Sequence, residues 1–147
     1  MRCCRRPGTT SLRAELLAAY RRTEYRVDDA GYALVLRVGV PSEQLRRCHD
    51  AFGVTCSAFI TAWNPRSTPT PREQNDLAMT RLEQALAAPG CRWLRGEGVD
   101  PEEEWPGEPS VLVLGLDEAA ALAIARRFDQ YAIVWSGADA TPRLVMA

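Results

Sequence analysis

The sequence predicts a single α/β domain, with a mixed β-sheet flanked by helices and built from two β-α-β units. Three observations predict it. The 147 residues suffice for one domain around one core. Apolar runs of strand length, TCSAFITAW (55–63), SVLVLGL (110–116) and YAIVWSG (131–137), alternate with segments whose apolar residues recur at helical spacing. No internal repeat or interdomain linker divides the chain, so residues 1–9 read as a flexible N-terminal tail and 10–147 as the domain.

Each element has a local reason. Thr10 or Ser11 caps a helix over 12–22, with Leu12, Leu16, Ala19 and Tyr20 on one stripe. EYRV and YALVLRV flank Asp28-Asp29-Ala30-Gly31, a turn sequence, and read as a hairpin. Pro41-Ser42-Glu43 opens a short helix that Gly53 stops. Strand 55–63 follows, and its unbroken apolar run marks it as central. Thr70-Pro71-Arg72-Glu73 matches a capping box with proline at the first helical position. That helix runs to Ala88, with Ala78, Met79, Leu82, Ala85 and Leu86 inward, and ends at Pro89-Gly90. CRWLRGEG gives a short strand, VDPEEEWPGEP an acidic loop and SVLVLGL a buried strand. Asp117 caps the next helix, YAIVWSG is a strand, and 137–142 turns into the last strand, RLVMA.

Composition narrows the chemistry. A net charge of −1 provides no global attraction to nucleic acid or membrane. All 18 basic residues are arginine, so neither a lysine Schiff base nor a Walker-type lysine exists. His49 is the only histidine, which excludes a His-dependent triad and a multi-histidine zinc site. Five cysteines at irregular spacing imply no disulfide framework, and Cys48-His49 reads as a core cysteine beside a surface histidine. The basic N-terminus has an apolar stretch broken by Arg13 and Glu15, a poor signal peptide, and no run reaches transmembrane length. The expected location is the cytoplasm.

Connection rules predict where a site lies. Strand 55–63, the next helix and strand 91–96 form one β-α-β unit; strands 110–116 and 131–136 with their helix form the other. If the acidic loop closes a hairpin, one sheet rim collects Asn64, Arg66 and Ser67 after strand 55–63, and Arg72 and Asn75 at the following helix start. The same rim receives Arg95 and Glu97, Trp105 and Glu108 of the acidic loop, Ser110 and Gln130.

The motifs ITAWNPRS, the later Asn75, GEGVDPEEEW, EPSVLVLGL and ARRFDQYAIVW resemble a bacterial family catalogued as domain of unknown function 3293, over residues 20 to 147. The resemblance implies a small, stand-alone cytoplasmic protein without an established activity. Its pattern carries over to Thr61, Ala62, Asn64, Pro65, Asn75, Trp105, Glu108, Ser110 and Gln130. Two positions depart from it: Asp129 stands where the family usually has glycine, and Pro109 where members often have an acidic residue.

Each candidate has a chemical role and a plainer alternative. Glu108 suits a general acid or base, or else a carboxylate paired with Arg95 or Arg66. Ser110 lacks a base and a GxSxG context, so it reads as a backbone-bonding serine. Asn64 and Asn75 suit reading a ligand amide or base edge, or else an Asx-type turn and its support. Arg66 and Arg72 beside a helix start suit an anion such as phosphate. Trp105 suits stacking on a ligand. The acidic run lacks the alternation of a calcium loop and reads as solvated, so neither metal nor cofactor is expected. GEG at 96–98 is too short for a phosphate-binding signature.

The expected function is a non-catalytic ligand-binding or protein-interaction module with a polar pocket at one sheet rim. Its expected ligand-binding residues are Asn64, Arg66, Ser67, Asn75, Trp105, Glu108, Ser110 and Gln130. The expected partner is a small anionic or nucleotide-like ligand, or a protein; membrane and nucleic acid are not expected. The alternative is a small enzyme acting on a nucleotide-like or phosphorylated molecule, with Glu108 as proton carrier.

Overall fold

A computed structural model describes residues 9–102 and 106–147, with side chains from residue 13 onward. The expected tail, apart from Thr9, and Trp105 lie outside the described residues. Four helices flank one sheet in a single α/β domain. In chain order these are α1 (Thr9–Arg22), β1 (Glu24–Asp29), β2 (Tyr32–Leu36), α2 (Glu43–Phe52), β3 (Ser57–Ile60), α3 (Arg72–Ala87), β4 (Arg92–Val99), β5 (Glu108–Leu114), α4 (Glu118–Arg127), β6 (Ala132–Ser136) and β7 (Arg143–Met146). A 3-10 turn, Pro65–Ser67, stands between β3 and α3.

The caps of two helices follow the sequence reading. Ser42 accepts the Leu45 amide at 3.1 Å at the start of α2, and Gly53 closes it with φ of 66°. Asp117 accepts the Ala120 amide at 2.8 Å at the start of α4. The capping box at α3 does not form. Pro71 precedes the helix with no side-chain cap, and Thr70 Oγ1 donates to the Thr68 carbonyl instead.

The sheet corrects the expected topology. Its order is β2-β1-β4-β5-β3-β6-β7, and every bonded pair is antiparallel, so the sheet is not mixed. β3 and β4 run the same way, as a helical crossover requires, but β5 lies between them. Likewise β3 lies between β5 and β6. The two expected β-α-β units are therefore not adjacent parallel pairs. The β4–β5 hairpin folds back into the gap that the first crossover leaves.

Two cores cover the two faces. On one, Tyr25, Leu36, Phe59, Leu112 and Val134 pack with Leu45 and Cys48 of α2. On the other, Ile60, Val111 and Ile133 pack with Leu82 and Leu86 of α3 and with Ala121 and Ala125 of α4. All four residues of β3 are buried, the two-sided burial that its apolar run implies.

His49 is not on the surface. It is buried beside Cys48 on the core face of α2 and bonds Ser57 Oγ through Nε2 at 2.8 Å. Burial holds its pKa below the ordinary value, and Asp50 opposes this weakly. A 100° step per residue lets two sequence neighbours share a face wide enough for both.

Candidate functional site

The end of β3 is built around two asparagines. Asn75, on the first turns of α3, is 1% exposed. Its Oδ1 accepts the Asn64 backbone amide at 2.8 Å, and its Nδ2 donates to Asn64 Oδ1 at 2.9 Å and to the Thr70 carbonyl at 3.1 Å. Asn64 Oδ1 also accepts the Thr70 amide at 3.1 Å. This clamp holds an unusual backbone: Asn64, Arg66 and Ser67 have φ of 46°, 56° and 52°. Left-handed non-glycine residues cost of order 1–3 kcal/mol each when surrounding structure forces them. Other tethers share the load. The Arg66 amide donates to the Asp129 carbonyl at 2.7 Å, and Gln130 Nε2 donates to the Trp63 carbonyl at 3.2 Å. Asp129 has φ of 54°, a conformation that favours glycine, which accounts for the glycine usual at this position in the resembling family.

Pro109 fits its place at the start of β5. It has no amide to donate, and its carbonyl accepts from Thr61 Oγ1 at 2.7 Å, beyond the last ladder pair of β3. Ser110 Oγ donates to the Glu108 carbonyl at 3.0 Å, the backbone role its sequence context suggests.

These residues line one cavity of ≈ 580 Å³ on the α2 face of the sheet. Phe59, Ser110, Ala132 and Val134 contribute from the strands, Leu16, Ala19 and Tyr20 from α1, and Thr23 from the residue after it. The loop side supplies Asn64, Ser67, Asn75 and Gln130. Two glycines of β4 shape the space. Gly98 lies opposite Glu108 in the β4–β5 register, and a Cβ there would meet only Thr23 Cγ2 at 3.7 Å. Gly96 packs directly under the Phe59 ring, 2.9 Å from where its own Cβ would stand. The GEG stretch is thus a packing device.

Glu108 is the cavity's distinctive group. Its Oε1 accepts from Asn64 Nδ2 at 3.2 Å, while Oε2 takes no hydrogen bond and no cation among the described residues. Burial pushes its carboxyl pKa up, and the Asn64 bond only partly offsets this. The expected pairing with Arg95 or Arg66 does not occur. The Arg66 side chain is 69% exposed, pairs with Asp129 at 3.6 Å and does not line the cavity; Arg95 stands exposed. Arg72 reaches the cavity only at its rim, 87% exposed and facing Asp76 at 3.8 Å.

Tyrosines complete the site. Tyr20 O–H and Ser67 Oγ lie 2.5 Å apart, and Tyr25 O–H donates to the Tyr20 carbonyl at 2.6 Å. Burial raises both phenol pKa values, and the charge of Glu108 adds to each rise, so the three groups share one field. Arg22 and Asp100 form an ion pair at 3.2 Å; Asp100 lines the cavity. Among the described residues no three His, Cys, Asp or Glu side chains converge as a metal site requires, and no helix is long and apolar enough to cross a membrane.

The cavity therefore gathers Asn64, Ser67, Asn75, Glu108, Ser110 and Gln130 of the expected set and leaves out Arg66. The α1 wall and the glycine floor escaped the sequence reading. Tyr20 looked like one more apolar-stripe residue, and nothing local says what the stripe faces.

The family model described as "Protein of unknown function (DUF3293)" matches residues 60–133, half of the chain. No curated protein and no solved structure matches. The matched span holds Asn64, Asn75, Glu108, Ser110 and Gln130, and ends just inside β6.

Proposed function

The chain belongs to the DUF3293 family of proteins of unknown function, and from that premise we propose that it is a small-molecule-binding module whose site is the cavity at Glu108. One observation carries this reading: a ≈ 580 Å³ cavity is bordered by the half-buried Glu108, whose Oε2 takes no hydrogen bond from the described residues. Its size is that of small-molecule pockets, which run to roughly 300–1,000 Å³ and combine apolar walls with a few placed polar groups. Asn64, Asn75 and Gln130 spend their hydrogen bonds on the loop, so their role is to hold Glu108 and the cavity mouth in place. Binding is favoured over catalysis, because Ser110 is turned to backbone with no base beside it among the described residues, and the His49–Ser57 pair is buried in the core away from the cavity. The enzyme reading draws on one fact, the raised pKa of Glu108, which suits a proton carrier.

A thermal-shift screen against nucleosides, sugar phosphates, amino acids and amines tests the reading, run in parallel on Gly98→Val. Valine suits a strand and places its side chain in the cavity. A ligand at ~100 times its dissociation constant adds about 2.7 kcal/mol of stability. The expected result is at least one class that stabilises the parent and not the variant. Ligands that stabilise both equally, or none at all, would count against the cavity as the site.

A further inference from the structure

The charges around the cavity point to a ligand class. This inference rests on the binding reading above. Glu108 stands within the cavity with no cation paired to it among the described residues, and Glu97 lies at its edge opposite Arg26, which pairs with Glu24. Asp100 is already matched by Arg22. Among the described lining residues the one arginine, Arg72, extends into solvent beside Asp76. An anion entering here would meet carboxylates and lose its water without compensation. The anionic ligand expected from Arg66 and Arg72 therefore gains no support from their placement.

The rest of the lining fits the opposite charge. Tyr20, Tyr25, Phe59, Trp63 and Tyr131 border the same space. Tyr25 and Phe59 pack edge to face at 5.2 Å, which fixes the rings against the sheet. Aromatic walls attract an organic cation through their negative faces and also accept its apolar body. Glu108 Oε2 is the remaining acceptor, and Asn64 holds the other oxygen so that the carboxylate cannot swing to solvent freely.

We infer that the cavity takes an organic ammonium with an apolar body, its nitrogen donating to Glu108 Oε2 and its carbon skeleton lying among Phe59, Val134 and the tyrosines. No covalent step is involved. The ligand supplies to Glu108 a positive charge that the described residues do not. Because the ammonium stabilises the ionised carboxylate, its affinity rises with pH through the titration of Glu108, whereas that of a neutral analogue does not.

The test is isothermal titration of the full chain at pH 7.5 with three probes on one skeleton: 3-phenylpropylammonium, 3-phenylpropanol and 3-phenylpropionate. The expected order has the ammonium roughly tenfold tighter than the alcohol, the size of one hydrogen bond to a charged group, and the carboxylate weakest. In Glu108→Gln the ammonium and the alcohol should come within about twofold of each other, since glutamine keeps the acceptor but not the charge. Gly98→Val should lose all three. An alcohol or carboxylate that binds as well as the ammonium, yet is lost in Gly98→Val, overturns the ammonium class and leaves the cavity standing as a site. A preference for ammonium that survives Glu108→Gln overturns the assignment to Glu108. Binding that survives Gly98→Val overturns both the class and the cavity.

Discussion

Asn75→Ala is expected to lower folding stability by about 3 kcal/mol, because it orphans several buried polar groups at once. The side chain is 1% exposed and makes three hydrogen bonds to the β3–α3 loop. Without it the half-buried Asn64 amide and Thr70 carbonyl lose their partners. The loop also holds three left-handed non-glycine residues that unwind readily once the clamp is gone. Urea denaturation measures the loss directly. For a chain of this size about 3 kcal/mol corresponds to a fall in Tm of roughly 10 °C. A change below about 1 kcal/mol, the ordinary size for a surface substitution, would mean that the clamp is not what shapes the loop.

Gly96→Ala is expected to cost about as much, roughly 3 kcal/mol, through overpacking. Its Cβ would stand 2.3 Å from the Arg26 carbonyl oxygen and 2.9 Å from Phe59 Cε2. The carbonyl belongs to β1, which is paired to β4 through Arg26↔Glu97 and Val27↔Gly96. It can yield only if the ladder parts. Gly98→Ala is the internal control, two residues along the same strand and face. A Cβ there meets only Thr23 Cγ2 at 3.7 Å, so the change should be neutral or stabilise by about 0.4–1 kcal/mol through the unfolded chain. Thermal melts of the two variants side by side check both. Equal effects would mean that Gly96 has no special packing role.

Much of the fold is legible in the sequence because its signals are local. Ser42 and Gly53 bound α2, Asp117 starts α4, and the apolar runs mark β3, β5 and β6. The gathering of Asn64, Asn75, Glu108, Ser110 and Gln130 is also legible, since the crossover and the hairpin fix which strand ends share a rim. The sheet order is not, because a crossover sets strand direction but not which strand fills the gap. The left-handed backbone at Arg66 and Ser67 carries no glycine to announce it, and it turns Arg66 toward Asp129 and away from the cavity. Nor does sequence show that α1 walls the cavity through Tyr20. That depends on an approach between residues 20 and 67, held by a hydroxyl pair.

Glu108 sits in the cavity as a carboxylate without a counter-charge among the described residues, at a cost to stability. Its folded pKa lies above the ordinary 4.5, so on raising the pH the unfolded chain ionises first, and ionisation favours unfolding. The penalty is absent well below pH 4.5, grows above it and levels off once the pH passes the folded value. The most direct measurement compares the urea stability of the parent and Glu108→Gln between pH 4 and 8. Effects common to both, such as the titration of His49, cancel in the difference. The predicted result is a variant more stable than the parent at pH 7.5, with the advantage shrinking as the pH falls towards 4. A variant less stable at pH 7.5, or an advantage that does not change with pH, would contradict the claim and make Glu108 a brace of the loop.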